Sequence, residues 1–415
     1  MRNGDDGVSL KYLILSFYLP SFFLSLGMGI VNPILPLFAR TFDVTFSVAA
    51  LVVTATGVGR LLIAIPSGIA MDRIGRRPII LIGAALAVVS GLLSGLTQNF
   101  VQLLFYRVLT GLSMGMWIGA RQTMIADSVR SSLRGKVMST FMISSTLGLA
   151  AGPAMGGFIA ALWGFRAPFF IYALVSAFSL LLSLFLIRET MPERSASQDR
   201  SRQGILGFDG DMTKALLSIS FISLAFVTTV SHIRMGAYQV LIPFFGNYSL
   251  NFSLVEIGLL LSVLAIFLVL IASPAGMIMD RYGRKKALVP SMIISALGIF
   301  MFPFVIDLPQ AILVSIVMGI GVGLGAGAVA TIAADMAPKR SRGLYMSVWR
   351  MMGAAGGLIG PVMAGAIIDL YTMEMAFFAV AILLVIAAVV SQVFMKETLQ
   401  KGDGKGGKFD PLNGN

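Results

Sequence analysis

Apolar residues run along the chain in blocks broken by short polar clusters. The blocks reach the roughly 20 residues a helix needs to cross a bilayer. The pattern predicts twelve helices, at 12–38, 45–70, 78–98, 100–126, 136–161, 166–187, 214–247, 252–277, 286–306, 309–335, 344–368 and 372–395. Residues 191–213 form the longest internal polar stretch, rich in Ser, Arg, Asp and Gly. The expected fold is an all-α membrane protein, with a six-helix bundle in 1–190, a linker at 191–213, a second bundle in 214–399 and a mobile tail at 400–415.

Composition supports this reading. Of 415 residues, 57% are hydrophobic and 12% charged. A soluble domain could not hide that much apolar surface. The net charge of +12 does not point to nucleic acid, because the cations sit in short loops between apolar runs. One set of loops carries Arg73, Arg76 and Arg77, then Arg130, Arg134 and Lys136, then Arg281, Arg284, Lys285 and Lys286, then Lys339, Arg340 and Arg342. The other set carries Arg40 and Arg166 and little else. That bias places both termini in the cytoplasm, and the expected location is a prokaryotic cytoplasmic membrane. Residues 1–11 are polar, and the first apolar run is too long for a signal peptide. With no Cys and one His there is no expected metal site and no disulfide.

The two predicted bundles share punctuation. Residues 66–77 read Pro-Ser-Gly-Ile-Ala-Met-Asp-Arg-Ile-Gly-Arg-Arg, and 274–285 read Pro-Ala-Gly-Met-Ile-Met-Asp-Arg-Tyr-Gly-Arg-Lys. The separation of Asp72 and Asp280 also carries Gly111 to Gly319, Asp127 to Asp335, Arg134 to Arg342, Gly152-Pro153 to Gly360-Pro361 and Glu189-Thr190 to Glu397-Thr398. Two parallel structural repeats explain such spacing. The repeated loop is expected to gate the cytoplasmic face. Gly68 and Gly276 would let helices approach closely. Asp72 and Asp280 would accept bonds from a helix N-terminus and guanidinium groups, Gly75 and Gly283 would turn the chain, and Arg73, Arg76, Arg281 and Arg284 would anchor it.

The loop motif resembles the signature of the major facilitator superfamily, and the resemblance covers nearly the whole chain. Further motifs look like its drug:proton exporters. They are Gly29-Ile-Val-Asn-Pro33-Ile-Leu-Pro36, Arg107-x-x-x-Gly111, and Gly148-Leu-Ala-Ala-Gly152-Pro153-Ala-Met-Gly156-Gly157. The resemblance implies alternating access, a substrate path between the halves near the midplane, protons as the coupling ion, and a small-molecule or lipid-like cargo. A near-copy of the third motif recurs at Gly356, Gly360 and Pro361, so part of its meaning is helix bending and close packing. Thr110 stands where those exporters usually have glutamine.

Charges that do not repeat are the candidate specificity residues. Arg60, Arg107, Arg121, His232, Arg234 and Arg350 have no ionisable counterpart in the other repeat. Embedded charge is a functional-site hypothesis by default. Arg107 and Arg121 lie within roughly 40° of one helix face and about 21 Å apart, with Gln122 near that face. The predicted cavity set is Asn32, Arg60, Arg107, Trp117, Arg121, Gln122, Arg234, Tyr238 and Gln239. Structural readings compete: Arg107 bonding backbone carbonyls, Arg60 anchoring helix to helix, and Arg121 reaching headgroups. His232 and Arg234 point to nearly opposite faces, so only one can line a narrow path, and Arg234 with Tyr238 is the choice. His232 and Asp127 are the candidate proton carriers, although His232 could be a neutral bridge between helices. Arg134, Arg342 and Arg350 join the gate set.

No Asp or Glu lies in the middle of a predicted helix. A path with several arginines and no central acid favours anionic or zwitterionic amphiphiles. The leading expectation is a monomeric exporter of small amphiphilic compounds that needs no cofactor. A lipid or lysolipid transporter and an uncoupled facilitator or sensor are the alternatives. An enzyme is not expected, since no phosphate loop, metal cluster or nucleophile set is present.

Overall fold

The computed structural model describes residues 10–190, 210–338 and 342–399, and among these there are helices and connecting turns but no strand. Twelve helices are long and apolar enough to cross a membrane. They are α1 (Ile14–Val31), α2 (Phe46–Ile74), α3 (Arg76–Gly95), α4 (Phe100–Ser128), α5 (Leu133–Trp163), α6 (Ala167–Leu186), α7 (Ile219–Ser249), α8 (Leu254–Tyr282), α9 (Arg284–Phe304), α10 (Leu308–Met336), α11 (Arg342–Leu370) and α12 (Met373–Phe394). Most of the predicted linker, the predicted tail, and Lys339 and Arg340 lie outside the described residues. The last linker positions, from Gly210, begin a short helix that runs to Leu217.

Two helices differ from the expectation of unbroken spans. α1 ends at Val31, and a short helix, Leu35–Arg40, follows after Asn32, Pro33 and Ile34. Pro33 and Pro36 remove two backbone donors there. α10 is interrupted where Ala326 turns extended and Gly327 takes φ +85°, a left-handed conformation that only glycine adopts cheaply.

The repeats share helix starts as well as motifs. Asn99 Oδ1 accepts the Gln102 N–H at 2.9 Å, and Gln102 Oε1 accepts the Gln98 N–H at 2.9 Å. Asp307 and Gln310 repeat this box at the start of α10, at 2.9 and 3.2 Å. Reciprocal capping of this kind satisfies orphan donors at a helix N-terminus.

The chain forms two compact units, one of Met1–Pro192 with Ile242–Ser262, the other of Glu193–Leu241 with Val263–Asn415. The last residues of α7 and the first of α8 belong with the first six helices. Within that first unit, Ser262 Oγ accepts the Ala154 N–H at 2.9 Å beside Pro153. Phe46 packs against Phe244 and Tyr248, with ring centroids 4.9 and 5.4 Å apart, and Arg40 lies 4.3 Å over the Phe46 ring.

Glycines set the closest helix contacts. A Cβ on Gly148, Gly152 or Gly156 would strike the backbone of Phe22, Gly29 or Ile30, so α5 lies flush on α1. Gly157 meets Leu254 of α8 in the same way. In the second unit, Gly356 and Gly360 hold α11 against the Thr229 and Ile233 carbonyls of α7. Both helices run on through Pro153 and Pro361. The loop-motif glycines behave otherwise. Gly68 and Gly276 have nothing within 4 Å of an added Cβ, so the expected close approach is absent at both.

The two classes of glycine should separate on substitution. Gly156→Ala forces α1 and α5 apart and should cost about 1–3 kcal/mol, whereas Gly68→Ala should leave stability unchanged or slightly raised. Thermal unfolding of the purified variants in detergent checks both.

Candidate functional site

The repeated loop folds the same way twice, around a carboxylate supplied from the end of each repeat. Gly75 has φ +98° and Gly283 φ +117°, and each lets the chain reverse directly into the next helix. The first N–H groups of α3 are then free to bond outward. Glu189 takes them: its two oxygens accept the Arg76 and Arg77 N–H groups, both at 3.0 Å. Glu397 does the same for Arg284 and Lys285 at 2.9 and 3.1 Å. A Cβ on Gly75 or Gly283 would meet that carboxylate. Asp72, expected in this role, is exposed and stands 3.9 Å from the Arg76 guanidinium. Asp280 is likewise exposed. The missed signal was in the sequence, because Glu189 and Glu397 keep the repeat spacing with no chemistry assigned to them.

Each capped turn also carries an ion pair. Arg76 Nε donates to Asp127 Oδ2 at 2.9 Å, and Arg284 Nε lies 3.3 Å from Asp335 Oδ2. Thr398 Oγ1 donates to the same Asp335 oxygen at 2.9 Å. Asp127 is thus half of a repeated structural pair. Arg73, Arg134, Arg281, Arg342 and Arg350 are exposed, and Arg281 lies 5.4 Å over the Tyr282 ring.

The embedded arginines turn inward. Arg107, Arg121 and Arg234 are at most 4% exposed. The common face predicted for Arg107 and Arg121 exists, but it packs against protein instead of lining an open path. Arg121 donates to the main-chain oxygen of Ser16 and, at 2.5 Å, to Ser183 Oγ, and lies 4.5 Å over the Trp117 ring. It ties α1, α4 and α6 together and does not reach toward headgroups. Trp117 is 1% exposed and packs near Phe141. In the second unit, Arg234 Nη1 donates to Ser295 Oγ of α9 at 2.6 Å, and Tyr238 is buried beside it.

His232 and Arg234 differ in burial. Arg234 and Tyr238 are buried, and His232 is the exposed member. The His232 ring rests on Gly353 of α11, where a Cβ would come within 3.0 Å of Nε2. Its Nδ1 is 2.9 Å from the Thr228 carbonyl on its own helix. That bond needs the proton on Nδ1, which leaves the Nε2 lone pair free in the neutral ring. Trp349 Nε1 donates to Thr228 Oγ1 at 2.8 Å. Arg60 is the exposed embedded arginine, 3.9 Å from the Met114 sulfur. Asn32, Gln122 and Gln239 are partly exposed. A cavity of about 760 Å³ lies elsewhere, between α9 and α12, lined by Tyr282, Lys285, Lys286 and Gln392 among others, and it contains none of the predicted cavity residues.

The family model of the Major Facilitator Superfamily matches residues 17–231 and again 224–411, and so spans both repeats. The chain belongs to the Major Facilitator Superfamily. It is similar to "Multidrug resistance protein 2" of Bacillus subtilis (strain 168), at 24% identity over 83% of this chain and 86% of that one. It is 25% identical to "Quinolone resistance protein NorA" of Staphylococcus aureus (strain COL), over 91% of this chain and 95% of that protein. Solved structures share the fold. A bacterial homolog of the human lysosomal transporter Spinster gives a TM-score of 0.75 at 16% identity, covering 94% of this chain and 98% of that one. A POT family transporter gives 0.77 at 15% identity, covering 92% and 96%. The superfamily is one of transporters and not of enzymes, and the chain is a multi-pass membrane protein.

The carboxylate caps predict a coupling. Glu189→Ala and Glu397→Ala should each cost about 1–2 kcal/mol. Gly75→Ala should cost more than either, from strain and from collision with Glu189. Part of that cost should vanish in the Glu189→Ala background, as a double-mutant cycle of unfolding temperatures would read out.

Proposed function

We propose that the chain is a secondary active exporter of small amphiphilic compounds, working as a monomer by alternating access in a prokaryotic cytoplasmic membrane with both termini inside. The observation that carries the proposal is that two relatives, each matched over most of its length, are named for drug and quinolone resistance. The exporter-like glycine motif of α5 supports it, since Gly148, Gly152 and Gly156 make the flush contact with α1. The open loop glycines also fit, because Gly68 and Gly276 would become close-contact positions in the other state of the cycle.

Protons are the proposed coupling ion and His232 the proposed carrier. Asp127 is held by Arg76, whereas His232 is exposed and keeps one nitrogen free. The proposed cargo is anionic or zwitterionic. Among the described residues no acid sits mid-span, and Arg60 is an exposed residue partway along α2.

Expression in an efflux-deficient host should lower its susceptibility to amphiphilic drugs. In inverted vesicles, an imposed pH gradient should drive uptake of such a compound, and His232→Ala should abolish the response while leaving binding intact. Uptake indifferent to the gradient in the unmodified protein would sink the coupled reading. Arg60→Ala should weaken binding of an anionic cargo about tenfold, the equivalent of ~1.4 kcal/mol, with little effect on a neutral one. Equilibrium binding to the purified protein measures this.

A further inference from the structure

Arg107 presents a charge-balance problem that its surroundings narrow to one kind of solution. It is 1% exposed, and none of its three guanidinium nitrogens has a hydrogen-bond partner. A guanidinium stays protonated in proteins, so its charge cannot be removed by titration. α6 packs beside it. Tyr172 of α6 interacts with it electrostatically, and the Phe169 ring centroid lies 6.0 Å from Arg107 Cζ. The Tyr172 ring fits between Gly27 of α1 and Gly91 of α3, where an added Cβ would lie 2.6 and 2.9 Å from it. Ser90, Ser113 and Ser176 surround the Tyr172 hydroxyl.

The protons in this cluster can be assigned. Ser90 donates to the Ala87 carbonyl at 3.1 Å and Ser113 to the Gly83 carbonyl at 2.7 Å. Tyr172 and Ser176, both 0% exposed, have hydroxyls with no partner in hydrogen-bond geometry. The uncommitted groups are thus a guanidinium, which can only donate, and two neutral hydroxyls, which can accept a hydrogen bond but carry no charge to balance it. No carboxylate is available to receive them. α1, α3 and α6 contain no Asp or Glu, and the sole acid of α4, Asp127, is paired with Arg76. Water could accept the hydrogen bonds but would leave the positive charge uncompensated.

We propose that the first unit holds a small monovalent anion, chloride in the cell, bound by Arg107, Tyr172 and Ser176 between α1, α3, α4 and α6. The burial of all three side chains excludes an organic carboxylate of drug size, so the ion is a resident of the bundle and distinct from any exported compound. It joins α4 to α6 by charge where the second repeat has Ser315 and Val380 at the equivalent positions.

The test uses the purified full-length protein, with sodium chloride titrated against sodium gluconate at constant ionic strength while thermal unfolding is followed. Chloride and bromide should raise the unfolding temperature saturably, and gluconate should not. The shift should vanish in Arg107→Gln. Tyr172→Phe, which removes one donor and keeps the ring, should raise the chloride concentration for half-effect about five- to tenfold. Equal stability of the unmodified protein in chloride and gluconate overturns the proposal, as does an undiminished chloride response in Tyr172→Phe. Loss of the chloride response when a bulky amphiphilic carboxylate is added also overturns it, because the counter-charge would then be the cargo.

Discussion

Hydrocarbon offers a polypeptide no hydrogen bonds, and every other feature of this protein is arranged around that constraint. Backbone groups must be satisfied within each span, which leaves helices as the building unit. Lipid is as apolar as leucine, so helices gain little by hiding apolar faces and must associate through close packing instead. Glycine provides this along α1 and α5, and again along α7 and α11, where any side chain would strike a neighbouring carbonyl. The same constraint governs the ends. Free N–H groups at the starts of α3 and α9 are each capped by a glutamate from the close of the same repeat.

The repeat divides the chemistry cleanly. Duplicated residues hold backbone and charge in place: the capping boxes at α4 and α10, the Glu189 and Glu397 caps, and the Arg76–Asp127 and Arg284–Asp335 pairs. Unduplicated residues place charge inside one unit alone. Arg121 donates to Ser16 and Ser183, and Arg234 donates to Ser295. Arg107 stands apart because none of its three guanidinium nitrogens has a hydrogen-bond partner.

Much of the architecture was legible in the residues. Hydropathy gave twelve spans because span length is fixed by bilayer thickness. The spacing of repeated motifs marks two related halves, and the family model matches residues 17–231 and 224–411 in turn. The breaks in α1 and α10 were not legible, because proline and glycine occur inside unbroken helices as well, as Pro153 and Pro361 do. The Glu189 cap was not legible, because local spacing shows only neighbours along the chain, such as Asp72, and Glu189 arrives from 113 residues away.

The sequence by itself determined the class of the protein, the number of its spans, the duplicated loop and the inventory of embedded charge. All of these depend on local hydropathy or on a linear period. Only the tertiary structure decided which embedded charges are reachable. It buried Arg107, Arg121 and Arg234, exposed His232 and Arg60, and left Gly68 and Gly276 without neighbours. A helical period fixes which residues share a face but not what that face meets. That is set by the packing of helices distant in sequence.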